Sequence, residues 1–196
     1  MNHINDIQKK ILELEGGAFQ KLFDAYLYKK YRFNNIQTLG VQTGTNKPTK
    51  GVPDSYVYTE NNKYILICYG SVKDQPANKI RKDILDCLDS GKTQLNESLI
   101  EKIICGYTSS NIKAGQFNDL INILEDKGIK IELISLETLS HDLALYYPNI
   151  AFDYLGVKIG THQITEKYYI VKIELKKMGK TLKFINLGVT FKKLSF

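Results

Sequence analysis

The chain has 196 residues, of which 43% are hydrophobic, so it is long enough to bury one sizeable core. No segment approaches the roughly 20 apolar residues that a membrane-spanning helix needs, and the N-terminus lacks the basic and then apolar pattern of a signal peptide. These features exclude a membrane partner and predict a cytoplasmic protein. The three widely spaced cysteines predict buried reduced thiols and argue against a disulfide framework or a zinc site.

The formal net charge is +6, from 27 Lys and Arg against 21 Asp and Glu. A basic balance favours a polyanionic partner such as nucleic acid. However, much of the excess lies in residues 167–193, where Glu174 is the single acidic residue among many lysines. A solvated, lysine-rich terminus explains that part of the charge equally well.

Apolar residues at helical spacing predict one long amphipathic helix over residues 4–30. Glu15 falls on its apolar face, because about 100° of rotation per residue sets it close to Ile11 and Leu22. An unpaired carboxylate on such a face is costly. The position of Glu15 therefore predicts a buried partner or a bound metal ion.

A strand over residues 36–43 and a polar loop over 43–50 come next in the predicted order. A β-hairpin follows, because Tyr56 and Tyr58 alternate with Val57, and an Asn61-Asn62 turn leads into an apolar run rich in strand-forming residues. The hairpin places Asp54 at the start of a strand, beside the second strand.

The rest of the chain alternates between helices and strands. Periodicity and capping residues predict helices over 76–90, 114–127 and 135–147, and strands over 103–105 and 129–134. Strands separated by helices imply parallel crossovers, so the order predicts an α/β fold with a mixed sheet. Two further strand-like runs, over 168–175 and 181–191, predict a C-terminal β-hairpin. We therefore expect a domain over residues 1–165 and a basic hairpin or tail over 166–196.

The run Gly51-Val52-Pro53-Asp54 and its hairpin resemble the first half of the motif of the PD-(D/E)XK nucleases, which share a restriction-endonuclease-like fold. Within that superfamily, about the first 165 residues are similar to the N-terminal nuclease-like domains of bacterial anti-phage STAND ATPases. Cys68 stands at the glutamate position of that subgroup, and Val72 stands at its glutamine position. The resemblance implies an αβββαβ core, a Mg²⁺ cofactor and a role in bacterial defence or restriction.

Metal-dependent cleavage of a phosphodiester needs carboxylate oxygens that hold Mg²⁺. The resemblance assigns the metal-ligand role to Asp54 and Glu15. Cys68 is the corresponding catalytic position on the second strand, but a thiol binds Mg²⁺ poorly. Lys73 is the candidate for the basic catalytic group, with an ordinary loop lysine as the alternative, and Asp74 is a further candidate ligand. We therefore expect cleavage to be weak or lost.

Lys47 and Lys50 lie in the loop before Asp54 and are candidates for contacts with DNA phosphates, with a solvated loop as the alternative. The leading interpretation is a nuclease-like domain that binds double-stranded DNA. One alternative is a structural or sensory module that uses the same fold to dock another protein or a second copy of the chain. The other is an active nuclease that uses Glu15, Asp54 and Asp74.

Overall fold

The computed structural model shows an α/β fold in which helices cover both faces of a five-stranded mixed sheet. It describes residues 3–39, 51–71 and 75–159, which belong to one compact unit ending at Ile159. The strands are β1 (Gln37–Thr38), β2 (Ser55–Tyr58), β3 (Tyr64–Gly70), β4 (Ile100–Tyr107) and β5 (Lys130–Ile134). The helices are α1 (His3–Leu12), α2 (Gly16–Tyr31), α3 (Pro76–Leu88), α4 (Ser90–Thr93), α5 (Ala114–Glu125), α6 (Leu136–Leu145) and α7 (Pro148–Leu155).

The strands are neighbours in the sheet in the same order as in the chain. β1, β2 and β3 pair antiparallel, whereas β3, β4 and β5 pair parallel. The two parallel connections each contain helices, as crossovers between parallel strands require. The predicted α/β class with a mixed sheet is therefore confirmed.

Two apolar clusters fill the two sides of the sheet. α1, α2, α6 and α7 pack on one side, where β3 contributes Ile65 and Ile67. α3 and α5 pack on the other side, where β3 contributes Leu66 and Cys68. Successive side chains of a strand point to opposite faces. Because β3 is buried on both faces, its sequence is a continuous apolar run and not an alternating one.

The predicted single helix over residues 4–30 is wrong. α1 ends at Leu12 and α2 starts at Gly16, with Glu15 as an extended residue before it at φ −71° and ψ 157°. Glycine is unfavourable inside a helix by about 1 kcal/mol relative to alanine. Interrupting the helix next to two adjacent glycines therefore costs little free energy. α2 then packs closely on the sheet, where a Cβ on Gly106 would lie 2.3 Å from the Phe23 ring.

None of the helices in the described ranges is both long enough and apolar enough to cross a membrane. β1 is shorter than the strand predicted over 36–43, because residues 36 and 39 lie outside it, and residues 40–43 of that prediction are not among the described residues. The predicted C-terminal hairpin and the domain boundary after residue 165 lie outside the described residues.

Candidate functional site

Asp54 lies immediately before β2, and hydrogen bonds from three other residues hold it in place. Its Oδ2 accepts a hydrogen bond from the backbone N–H of Tyr69 at 2.8 Å. Its carbonyl oxygen accepts hydrogen bonds from Leu39 N at 2.7 Å and from Gln20 Nε2 at 3.3 Å. The sequence prediction that Asp54 precedes a strand antiparallel to the one carrying Cys68 is confirmed. Ser55 pairs with Ile67, so one further step along the ladder sets Asp54 opposite Cys68.

The opposite face of the sheet fixes the segment that holds Asp54. The Tyr69 ring contacts the Phe23 ring edge-on at 5.3 Å, and the Tyr69 hydroxyl donates a hydrogen bond to Asp24. Asp24 also accepts a hydrogen bond from Thr38 Oγ1 at 3.1 Å. Burial raises the pKa of Tyr69 and the pKa of Asp24. This anchoring positions the Tyr69 N–H that binds the Asp54 carboxylate.

A cavity of about 600 Å³ opens beside Asp54, and we call it the Asp54 cleft. Its walls come from the segment before β2, from β3, and from the helices α3 and α4. The lining residues are Gly51, Val52, Pro53, Asp54, Cys68, Tyr69, Lys79, Lys82, Asp83, Asp86 and Lys92. Three carboxylates and three lysines therefore converge on one concave surface.

The helix α3 supplies most of the charged groups of the cleft. It buries Ile80, Ile84 and Cys87 against the sheet. The charged residues Lys79, Asp83 and Asp86 each come one position earlier, which rotates them by about 100° from the buried face. Lys79 forms an ion pair with Asp83, and Lys92 forms one with Asp86. Lys82 is exposed and has no ion pair within the described part of the chain.

Two of the carboxyl groups titrate far above the usual range of an aspartate. Burial raises the pKa of Asp54 to about 6, against the lowering effect of the hydrogen bond from the Tyr69 N–H. Burial also raises the pKa of Asp83 to about 6, although the hydrogen bond from Lys79 opposes the change. Carboxyls with raised pKa values that face one cleft are typical of functional sites.

Glu15 does not share this environment. It is exposed at the N-cap of α2, and it is not among the described residues that line the Asp54 cleft. Its predicted position on a buried helix face is wrong, because the chain leaves the helix there. Its assignment as a metal ligand stays a prediction.

The structure brings Asp54 and Cys68 together, as the sequence predicted. Lys47, Lys50, Lys73 and Asp74 lie outside the described residues. Sequence reasoning missed Lys79, Asp83 and Asp86. Their signal was available, since all three flank the apolar positions of a predicted helix that directly follows the hairpin.

The Asp54 cleft offers few oxygen donors for a metal ion such as Mg²⁺. In the ranges 3–39, 51–71 and 75–159, no group of three or more His, Cys, Asp or Glu side chains is placed to hold a metal ion. Asp54 and Asp83 offer two carboxylates on one cleft. Mg²⁺ is commonly bound by one or two carboxylates together with waters and substrate phosphates. Such a pair could hold a cation only together with waters or a phosphate, because the described residues form no closed cage of protein ligands.

In comparisons with known proteins, no family model and no curated sequence matches the chain. The geometry and charge of the Asp54 cleft are therefore the features that bear on function.

Proposed function

We propose that the protein is a nuclease-like domain that binds double-stranded DNA, and that the Asp54 cleft receives a backbone phosphate together with Mg²⁺. The observation that carries this proposal is the convergence of Asp54 and Asp83, both with a pKa of about 6, with three lysines on one cleft. The order of elements from α2 to β4 is compatible with the αβββαβ core implied by the PD-(D/E)XK resemblance. That resemblance also supports a place in a bacterial defence or restriction system.

The charges of the cleft balance, with three lysines against three aspartates. Two of the lysines are already paired with Asp83 and Asp86. A phosphate entering this site meets carboxylates as well as ammonium groups. A divalent cation would remove that repulsion, so DNA binding at the cleft should be stronger with Mg²⁺ than with a chelator.

Each residue of the cleft has a distinct part in this proposal. Asp54 and Asp83 would hold the cation through carboxylate oxygens, and Mg²⁺ in such a site polarises a phosphate and lowers the pKa of bound water. Lys79 is the basic group of the cleft, a role that the sequence had assigned to Lys73. Lys82, which is exposed and has no ion pair among the described residues, would contact a phosphate.

Weak or lost cleavage is part of the same proposal. Cys68 occupies the position at which the resemblance requires a glutamate, and its sulfur lies 3.3 Å from the sulfur of Cys87. A thiol in that contact supplies no hard oxygen ligand for Mg²⁺. Two carboxylates hold the cation less firmly than three. We therefore expect the protein to retain DNA binding although its cleavage activity is weak or lost.

The test is fluorescence anisotropy of a labelled DNA duplex over a range of salt concentrations. Lys82→Ala should weaken binding and reduce the slope of log affinity against log salt by about one, the effect of losing one phosphate contact. Lys29→Ala is the matched control, because Lys29 is exposed on α2, which packs on the other side of the sheet. Equal losses for both variants, or binding that is insensitive to salt, would overturn the assignment of the cleft.

One observation favours the second candidate function, a structural or sensory module that docks a protein. Aromatic side chains are exposed close together in sequence at the end of α6 and on α7: Tyr146 is 56%, Phe152 is 49% and Tyr154 is 43% exposed. Aromatic residues are enriched in protein interfaces. In that case, Phe152→Ser should leave DNA retention unchanged and abolish binding of the partner.

A further inference from the structure

The three cysteines of the chain meet beneath the Asp54 cleft. They come from three different elements, Cys68 from β3, Cys87 from α3 and Cys105 from β4, and each is at most 4% exposed. Cys68 and Cys105 are register partners on adjacent parallel strands. The Sγ atoms of Cys68 and Cys87 are 3.3 Å apart. All three thiols are free, which confirms the sequence prediction of buried reduced cysteines.

Cys68 differs from the other two thiols in its position at the wall of the Asp54 cleft. Structural cysteines in an apolar core are usually inert, because the thiolate is the reactive form and burial opposes it. Cys68 lines the Asp54 cleft, whereas Cys87 and Cys105 do not. A small oxidant that enters the cleft therefore meets the sulfur of Cys68 first, and the sulfur of Cys87 lies 3.3 Å behind it.

We propose that Cys68 and Cys87 are a redox modification site that forms a reversible disulfide when a hydroperoxide enters the Asp54 cleft. A disulfide requires the sulfurs to approach to about 2.0 Å, which is about 1.3 Å closer than they are now. The disulfide would therefore require a small movement of α3 toward β3. Cys87 is the expected partner because its sulfur is the one that lies 3.3 Å from the sulfur of Cys68.

The chemistry has two steps. The Cys68 thiolate attacks one oxygen of hydrogen peroxide, the O–O bond breaks, and hydroxide leaves and takes up a proton to become water. Cys68 is now a sulfenic acid. The Cys87 sulfur then attacks the Cys68 sulfur, the S–S bond forms, the S–O bond breaks, and the departing hydroxide leaves as water with the proton of the Cys87 thiol. In total, two thiols are oxidised and one peroxide is reduced to two waters.

The disulfide would change the geometry of the cleft. Cys87 follows Asp83 by one helical turn on α3, and Cys68 lies opposite Asp54 in the ladder. Movement of α3 toward β3 therefore alters the separation of the Asp54 and Asp83 carboxyls. This consequence rests on the proposed function, whereas the disulfide itself does not.

The test uses the full chain, treated with a small excess of hydrogen peroxide and analysed by intact mass and by peptide mapping without reduction. We expect the loss of two hydrogens and a peptide linkage between Cys68 and Cys87, both reversed by dithiothreitol. Cys105→Ala should retain the linkage, and Cys87→Ser should stop at the sulfenic acid of Cys68. Three thiols that stay free, or a linkage through Cys105, would overturn the proposal, and the wild-type mapping requires no variant to fold.

A second measurement separates this proposal from the proposed function. Affinity for duplex DNA in Mg²⁺ is measured before oxidation, after oxidation and after reduction. Weaker binding that recovers on reduction supports a redox-controlled cleft. A mapped Cys68–Cys87 linkage with unchanged DNA affinity would retain the modification site and refute its link to DNA binding.

Discussion

Replacing Asp54 by asparagine should make the protein more stable at neutral and alkaline pH. Asparagine has nearly the same shape as aspartate, and its side-chain oxygen can still accept the hydrogen bond from the Tyr69 N–H. The substitution therefore removes the buried negative charge while it keeps the packing and the hydrogen bond. A charged group whose presence reduces stability is expected where the site is built for a ligand.

The magnitude follows from the pKa of the Asp54 carboxyl. It is raised from 3.8 to about 6 by burial. Because the folded-state pKa lies above the unfolded-state value, the contribution of the neutral carboxyl to stability is full below about pH 4 and is lost as the pH rises through 6. Above that range, the ionised carboxylate costs up to about 3 kcal/mol relative to a neutral group.

The assay is urea denaturation of wild type and Asp54→Asn at about pH 4.5 and at about pH 8, with a chelator present so that no cation neutralises the carboxylate. The free energy of unfolding of the variant, relative to wild type, should rise by about 2 kcal/mol between the two pH values. Asp119→Asn is the matched control, because Asp119 is exposed on α5. A variant whose stability relative to wild type is the same at both pH values would refute the inference that the ionised Asp54 carboxylate lowers the free energy of unfolding.

Two further predictions address the cation and the packing of α2. Mn²⁺ affinity, measured by calorimetry, should rise between about pH 5 and pH 7, because Asp54 and Asp83 both ionise near pH 6. Asp83→Asn should lower that affinity and Glu15→Gln should not, and the opposite pattern would restore Glu15 as the ligand. Gly106→Ala should destabilise the protein by about 1–3 kcal/mol in urea denaturation, since the new Cβ would overlap the buried Phe23 ring. Gly115→Ala is its control, because a Cβ there meets nothing within 4 Å and alanine favours α5, so equal effects would contradict the packing argument.

Local patterns in the sequence determined several elements correctly. Ser135 was expected to cap the helix that follows, and its Oγ accepts a hydrogen bond from Thr138 N at 3.2 Å. The helix predicted over residues 114–127 is observed as α5, and the hairpin places Asp54 before β2. These features depend on contacts within a few residues, so the sequence contains their cause.

Only the tertiary structure decided which groups share the Asp54 cleft. Asp54 and Asp83 belong to different elements, and they face one cavity because α3 packs across β3. The same packing brings three cysteines together that are widely spaced in the chain. Glu15 shows the reverse case. Helical periodicity assigned it to a buried helix face, but α1 ends before it and its side chain is exposed. Periodicity describes the faces of one element, whereas a site depends on how elements pack, which is set by burial of apolar surface contributed by the whole chain.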